Sequence, residues 1–550
     1  MKNTFVKIII PLIAITLTSC SVRRRGHKSS SSESIESSET SSEQSSEQSS
    51  ESSSESSSGS SSGSLSSSET SSSSESSSED PGTGYTQVTK LSMLSSDLDK
   101  RYAPALGDVK LLVVPITFAG NTASGYTQYI QPWTKTKLTQ VNGFYFGETD
   151  SLVSYYKTAS FDKLRITGMV ADIYQNTTFT VKEVLDDGSM NTLWDMMDAA
   201  LDWLYETTDI DWSEYDLNRD GCIDNIHFVT DYVSQEWNTN LWPHMYFTNR
   251  TGTLEKPMVN VYSMSGTGFV SDAITAIHEQ GHIFGLDDYY DYSNGGSSLI
   301  DYIGHLDMQS YNCFDWNSYS KLTTGWVDPY VIDGTKDVTE ITITAASKNG
   351  DCLIIPADYS TWNGSAFDEY ILLELFAPFG NNKADWSRYS GTLGSAPGIR
   401  LYHVDGRVYG SNKTERWNPM QLIVDDMEDQ EINCVEDVER WEYTTRGANN
   451  CSNWKDYEGG IYQLGSHPLL TLVQRGGDFT FAKTDYDHHT LQAGDLFKRG
   501  HSFTFSKYSH FMNKNIAAQD TMDNGEVFPY QIDVISITSD TATLKITKIL

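Results

Sequence analysis

Apolar residues are spaced unevenly along this chain, and the spacing marks out its elements. From Asp108, DVKLLVVPITF is an apolar, β-branched run that predicts a buried strand. SLVSYYKTASFDKLRITGMV, from Ser151, predicts a short helix and then a strand. In NTLWDMMDAALDWLYE, Leu193, Met196, Met197, Ala200, Leu201 and Leu204 recur at helical spacing, with Asn191 or Thr192 placed to cap the first turn. IDNIHFVTDY reads as another strand, and AITAIHEQGHIFGLDDYYD, from Ala273, as a helix that breaks at a glycine. From about residue 338 the sequence is strand-rich, with Gly and Asp turns. The expectation is an α+β chain: a mixed first half over 84–335 and a β-rich second half over 336–550.

The first residues break this pattern. Met1, Lys2 and Lys7 give a short basic start, and Phe5 to Leu17 is a mostly apolar run, too short to span a bilayer comfortably. Leu17-Thr18-Ser19-Cys20 follows, and resembles the lipobox of bacterial lipoproteins. The resemblance implies a signal peptide over 1–19, cleavage before Cys20 and acylation of its thiol. From Ser29 to Asp80 the chain is nearly all Ser with Glu spaced through it. Such a segment has too little apolar surface to fold, so 20–83 is expected to be a disordered tether.

Charge narrows the partners. Of the 74 acids 11 lie in the Ser/Glu run, and of the 39 bases 6 precede it, which leaves 63 acids against 33 bases in the remainder. So acidic a surface argues against nucleic acid as a partner and favours calcium. Besides Cys20 there are five cysteines, at 222, 313, 352, 434 and 451, an odd number that leaves at least one thiol unpaired. Cys434 and Cys451 are close enough in sequence to staple a loop.

His278 and His282 are four apart, so on a helix they share a face and can point at one ion. Glu279 reaches the space beside that ion, where it can take a proton from water. Gly285 is a natural helix stop, after which the chain can return Asp288 toward the metal, with Asp287 as its rival for third ligand. Zinc is the metal such a set suits, with one position left for water. Downstream, Met308, Tyr311 and Tyr319 follow in GHLDMQSYNCFDWNSYSKLTTGW. His305 is a weaker candidate ligand.

These residues resemble a known family. HEQGHIFGLDDYYD is similar to the zinc segment of the M6 peptidases, the immune inhibitor A-like metalloproteases, and SYYKTASFDKLRITG, DEYILLELF and GIRLYHVDGRV resemble three further segments of that family. The likeness spans roughly residues 107 to 550, with unmatched stretches such as 410 to 465. It implies a metzincin-like catalytic domain with a mixed sheet and an active-site helix, zinc on His278, His282 and Asp288, and Glu279 as general base. The metzincin spacing His-x-x-Gly-x-x-ligand is what prefers Asp288 to Asp287. By the same likeness Met308 would pack in a tight turn beneath the zinc; Tyr311 and Tyr319 lie near it in sequence, and either could donate its hydroxyl to the oxyanion, the alternative being a structural role for both.

A second candidate metal site lies in DLNRDGCID. Asp216, Asn218 and Asp220 alternate, Gly221 makes the turn, and the Cys222 carbonyl and Asp224 follow, as in calcium loops. The twelfth position, a glutamate in a full EF-hand, is His227. The competing reading is a polar turn whose side chains cap their own backbone. His403 with Asp405, His488 with His489, and His244 are weaker candidates, read as a buried pair, a loop and a core histidine. Together these features predict a zinc endopeptidase held by lipid on the outer face of a bacterial membrane and acting on extracellular protein or peptide. The alternatives are a non-catalytic binding or adhesin protein, and a zinc hydrolase acting on cell-wall peptides.

Overall fold

The computed structural model describes residues 82–89, 91, 103–120, 127–234, 239–248, 250–269, 272–286, 288–291, 300–406, 457–458, 461–462, 468–482, 489–512 and 518–550. The signal peptide, Cys20, nearly all of the tether, Asp287, Cys434, Cys451 and His488 lie outside them. The architecture is mixed α+β, with eleven α-helices and several sheets among the described residues. No described helix is long and apolar enough to cross a membrane.

The first sheet has its strands in the order Leu164–Val170, Gly107–Thr117, Ile226–Thr230, Val261–Gly266 and His244–Phe247, with Tyr174–Gln175 pairing beyond the end of the first. All pairs along that path are parallel except the last, where His244–Phe247 runs antiparallel to Val261–Gly266. The apolar run from Asp108 is explained by helices on both faces. Val109, Leu111 and Val113 face a core shared with the helices Lys135–Phe146, Leu152–Ala159 and Ile274–Ile283. Leu112, Val114 and Ile116 face the helix Asn191–Thr207. A parallel strand covered on both sides has no polar face to alternate with.

The helix Asn191–Thr207 buries the six residues its period picked out, but it is not capped by Asn191 or Thr192. Met190 precedes it in a left-handed conformation (φ 65°) with no side-chain cap, and the free N–H of Thr192 bonds the Asp187 carboxylate instead. A cap can come from any residue the loop brings within reach.

Among the described residues the second half carries two larger sheets, besides the small pair Tyr457–Glu458 and Ile461–Tyr462. One has the order Tyr85–Gln87, Tyr330–Ile332, Leu353–Ile355, Glu369–Phe376, Gly398–Asp405 and Leu470–Leu472. The other is antiparallel, in the order Val338–Thr344, Thr541–Lys548, Tyr530–Ile537 and Ser502–Thr504. Strands from both sides of residue 335 thus share a sheet, and the most N-terminal described strand pairs with Tyr330–Ile332.

Candidate metal centre

The helix Ile274–Ile283 is buried along its length, so its histidines lie inside the protein. It stops where glycine permits. Gly285 has φ 90°, its N–H bonds the His282 carbonyl at 2.9 Å, and the Leu286 N–H bonds the Gly281 carbonyl at 3.1 Å. This pair of bonds is the Schellman closure, which needs a left-handed residue after the cap. The reversed chain then runs past the helix, where the Tyr289 N–H bonds the Gln309 carbonyl and the Tyr289 hydroxyl meets Ser320 Oγ at 2.6 Å. Asp288 is thereby aimed back at the two histidines.

The ring orientations decide what the group can bind. His278 Nδ1 lies 2.8 Å from the Met308 carbonyl, and His282 Nδ1 lies 2.8 Å from the Leu286 carbonyl. A carbonyl only accepts, so both Nδ1 atoms carry hydrogen and both Nε2 lone pairs turn inward. The two Nε2 atoms are 3.1 Å apart, and Asp288 Oδ1 lies 3.2 Å from one and 3.7 Å from the other. Three electron-rich atoms this close repel unless a cation sits among them. Zinc bonds of roughly 2.0–2.2 Å in tetrahedral geometry put ligand atoms about 3.3–3.5 Å apart. The spacings observed bracket that value, so the residues fit a metal ion of this class.

Burial sets the electrostatics. It opposes protonation of His278, but the adjacent Asp288 carboxylate outweighs it and raises the pKa to about 9. At His282 burial prevails and the pKa falls to about 4. Without a cation, therefore, a single proton on His278 is what the carboxylate would hold, and metal binding must displace it. Glu279 is pushed up to about 8, first by burial, with His278 opposing and Asp288 adding to the rise. Its Oε2 is buried with no hydrogen-bond partner among the described residues. A carboxyl beside a group of this kind can both take and return a proton.

Several supports for this group were not legible in the sequence. Gln309 lies against the helix, its Nε2 3.3 Å from the His278 carbonyl. Gly281 is what admits it, since a Cβ there would lie 2.1 Å from Gln309 Oε1. Tyr156 donates its hydroxyl to the Ile277 carbonyl at 2.6 Å and packs edge-on against Phe284, Trp316 and Trp326. The two tryptophans stack with centroids 4.5 Å apart. Met308 opens the short helix Met308–Tyr311, capped by Asp307, and is buried with these aromatics. Its carbonyl, rather than its sulfur, makes the directed contact with His278. The only sequence trace of these supports was the segment around Tyr156 and the methionine itself.

Other predicted residues lie elsewhere. Tyr319 is fully buried in the core of the second half, its hydroxyl near the site a Gly406 Cβ would occupy. Tyr311 is 36 % exposed and stacks on His305, which stacks in turn on His489 and faces Asp301 at 3.7 Å. Among the described residues, no hydrogen bond or ring stacking ties either tyrosine or His305 to His278 or His282, whose ring partners are the Met308 and Leu286 carbonyls, Gln309, Asp288 and each other. His244 is a satisfied core histidine, its ring nitrogens near the Trp242 carbonyl and the Tyr262 hydroxyl. His403 pairs with Glu369, at 2.8 Å.

The Asp216 loop is closed by its own side chains. Asp216 accepts the N–H groups of Asp220 and Gly221, each at 3.0 Å, Asn218 Oδ1 accepts from Asp220 at 3.1 Å, Asp220 accepts from Cys222, and Asp224 accepts from Leu217. Gly221 takes the φ of 82° that the turn requires. Burial, with Asp216 and Asp220 nearby, raises Asp224 to about 7. His227, at the twelfth position, points into the core beside Tyr145 and supplies nothing to the loop. Among the described residues, Asp216, Asp220 and Asp224 do not form a group of three ligand atoms within 4.8 Å, whereas His278, His282 and Asp288 do.

Set against known proteins, the chain matches no family model and no curated protein sequence.

Proposed function

We propose that this chain is a zinc-dependent endopeptidase of the M6 type, with a metzincin-like catalytic part. One observation carries the reading: two inward-facing Nε2 lone pairs and a carboxylate oxygen converge in a buried group, with the carboxyl of Glu279 beside it. A purely structural site has no use for that extra acid. A bound zinc would lower the pKa of its water toward neutrality and polarise the scissile carbonyl. Glu279 takes the proton from the attacking water and passes it to the leaving amine. Met308 and Leu286, through their carbonyls, hold the imidazoles in the tautomer that leaves Nε2 free. The lipobox-like start and the Ser/Glu run support display of the enzyme on the outer face of a bacterial membrane, with extracellular protein as substrate.

The test compares residues 81–550 with the Glu279→Gln form on unfolded casein, with zinc supplied and with zinc chelated. We expect the substitution to remove at least about 99 % of cleavage, a general base being worth roughly 10²–10⁴-fold, and to leave zinc content unchanged. Equal cleavage by the two forms would exclude Glu279 as the base. No cleavage by either form would favour a binding protein.

The Asp216 loop is proposed to hold calcium once its acids release their backbone bonds, since three acids around one turn favour a divalent cation. A calcium chelator should then lower the melting temperature. Unchanged melting would leave the loop a plain turn.

A further inference from the structure

A cavity of about 500 Å³ lies where loops of the six-stranded sheet face the antiparallel one. Asp333 follows the strand Tyr330–Ile332, Asp358 follows Leu353–Ile355, and Tyr530 stands opposite Lys548 on the antiparallel strands. The lining includes two exposed apolar residues, Tyr359 at 37 % and Val527 at 53 %. Sites for small groups have this size and this mixture of apolar wall and few polar atoms. Asp333 Oδ1 accepts the N–H and the hydroxyl of Thr335, at 2.8 and 2.6 Å, and Asp358 Oδ1 accepts those of Ser360, both at 2.8 Å. One oxygen of each aspartate thus holds its own turn, and each Oδ2 has no hydrogen-bond partner among the described residues. Glu526, the third acid of the lining, is bonded through both oxygens, by Thr361 and Asn524. Tyr530 is only 3 % exposed, yet its hydroxyl too has no hydrogen-bond partner among the described residues. Burial, and then the charges of Asp358 and Asp333, raise its pKa, so it stays a neutral hydroxyl.

We propose that this cavity takes an arginine side chain of a protein partner, held by Asp333, Asp358 and Tyr530. A buried hydroxyl left unpaired at the wall of a cavity points to a missing ligand. Charge sets the sign of that ligand, because among the described residues Lys548 is the only base in a lining with three carboxylates. The spread of the acceptors selects among cations. These carboxylates are not among the described groups whose ligand atoms lie within 4.8 Å of one another, so a bare metal ion is not gripped by them together. A guanidinium spreads several N–H donors across a plane, which suits acceptors set apart around a concavity. Its flat face stacks on an aromatic ring, which Tyr359 offers, and its methylene stem lies on apolar surface, which Val527 offers. Nothing in this assignment depends on the metal centre or on its chemistry.

The probe is a fluorescein-labelled, end-capped peptide of sequence Gly-Leu-Arg-Leu-Gly, with a copy that carries citrulline in place of arginine. Anisotropy is read on residues 81–550 bearing Glu279→Gln, so that no peptidase activity consumes the probe. Saturable binding of the arginine peptide is expected, and binding at least about tenfold weaker for citrulline, which keeps the shape but loses the charge-assisted bonds. Asp333→Asn/Asp358→Asn should weaken the arginine peptide by a similar factor, and Tyr530→Phe by about threefold. Asparagine keeps the oxygen that each turn uses, so the double variant should melt as its parent does. Asp202→Asn/Glu206→Gln removes the same charge from the exposed face of the helix Asn191–Thr207 and should leave binding unchanged. Absence of saturable binding would overturn the proposal, as would equal binding of the citrulline peptide. An equal loss in the Asp202→Asn/Glu206→Gln form would also overturn it, by showing attraction to acidic surface at large. Should the Asp333→Asn/Asp358→Asn form fail to fold, the citrulline comparison and Tyr530→Phe decide by themselves.

Discussion

His278 and His282 can serve as ligands because of what their other nitrogens do. Each Nδ1 is spent on a main-chain carbonyl, from Met308 and from Leu286, so each Nε2 is left as a lone pair. Gly281 is as necessary to this arrangement as the histidines. Its missing Cβ makes room for Gln309, which is fully buried and touches both the His278 carbonyl and the His282 ring. Gly281→Ala should therefore cost about 1–3 kcal/mol, as overpacking does, and weaken zinc binding at the same time. Adding Gln309→Ala should restore part of the stability, because the clash disappears with the amide. Additive losses in the double variant, measured by denaturant unfolding, would show that the close approach does not limit this helix.

The helices differ in how much of their placement is local. Asn191–Thr207 follows its apolar period residue for residue, whereas its cap comes from Asp187. Slight burial opposes ionisation of Asp187, but bonds from Ser189 and Thr192 outweigh it and hold the carboxyl well below the usual range. A depressed folded pKa stabilises the protein above the unfolded value of about 4, and the contribution is lost as pH falls through the folded one. Asp187→Ala should thus cost about 1 kcal/mol near pH 7, as a lost cap does. The gap from wild type should narrow once the pH drops below about 4. A pH-independent gap in thermal or urea unfolding would assign the loss to packing rather than charge. Ile274–Ile283 likewise has its first N–H held from outside, by the Asp272 carboxylate at 3.0 Å, and its other end is fixed by the Schellman closure and by Tyr156 beneath it.

The halves seen in the sequence are joined more closely than their composition suggests. Tyr85–Gln87 pairs with Tyr330–Ile332, and the Tyr85 ring meets Tyr330 edge-on at 5.6 Å. A chain begun at residue 92 loses that strand and leaves the Tyr330 edge open. It should be less stable than one begun at residue 81, by on the order of 1–3 kcal/mol for the cross-strand and aromatic contacts together, with zinc content unchanged. Equal melting of the two forms would mean the strand adds nothing. The buried Arg400–Glu374 pair links sheet and site in the same way. Arg400 donates to the Leu306 carbonyl, two residues before the carbonyl that orients His278, and Glu374 accepts from Ser318.

Sequence alone determined what depends on neighbours along the chain. The buried strand from Asp108, the six inward residues of Asn191–Thr207, the glycine that stops the metal helix and the one-turn spacing of His278 and His282 are all consequences of period and local conformation. Contacts between distant segments had no such signal. No spacing rule brings Gln309 onto Gly281 or the carbonyl of Met308 onto His278, and none removes Tyr319 into the core or turns His227 away from the Asp216 loop. These are decided when the sheets and helices close on one another, because a side chain's partners depend on which surfaces must be buried together. The two histidines could be read from the sequence as candidate ligands, but the tautomers and the carboxylate geometry that would let the group hold a cation could not.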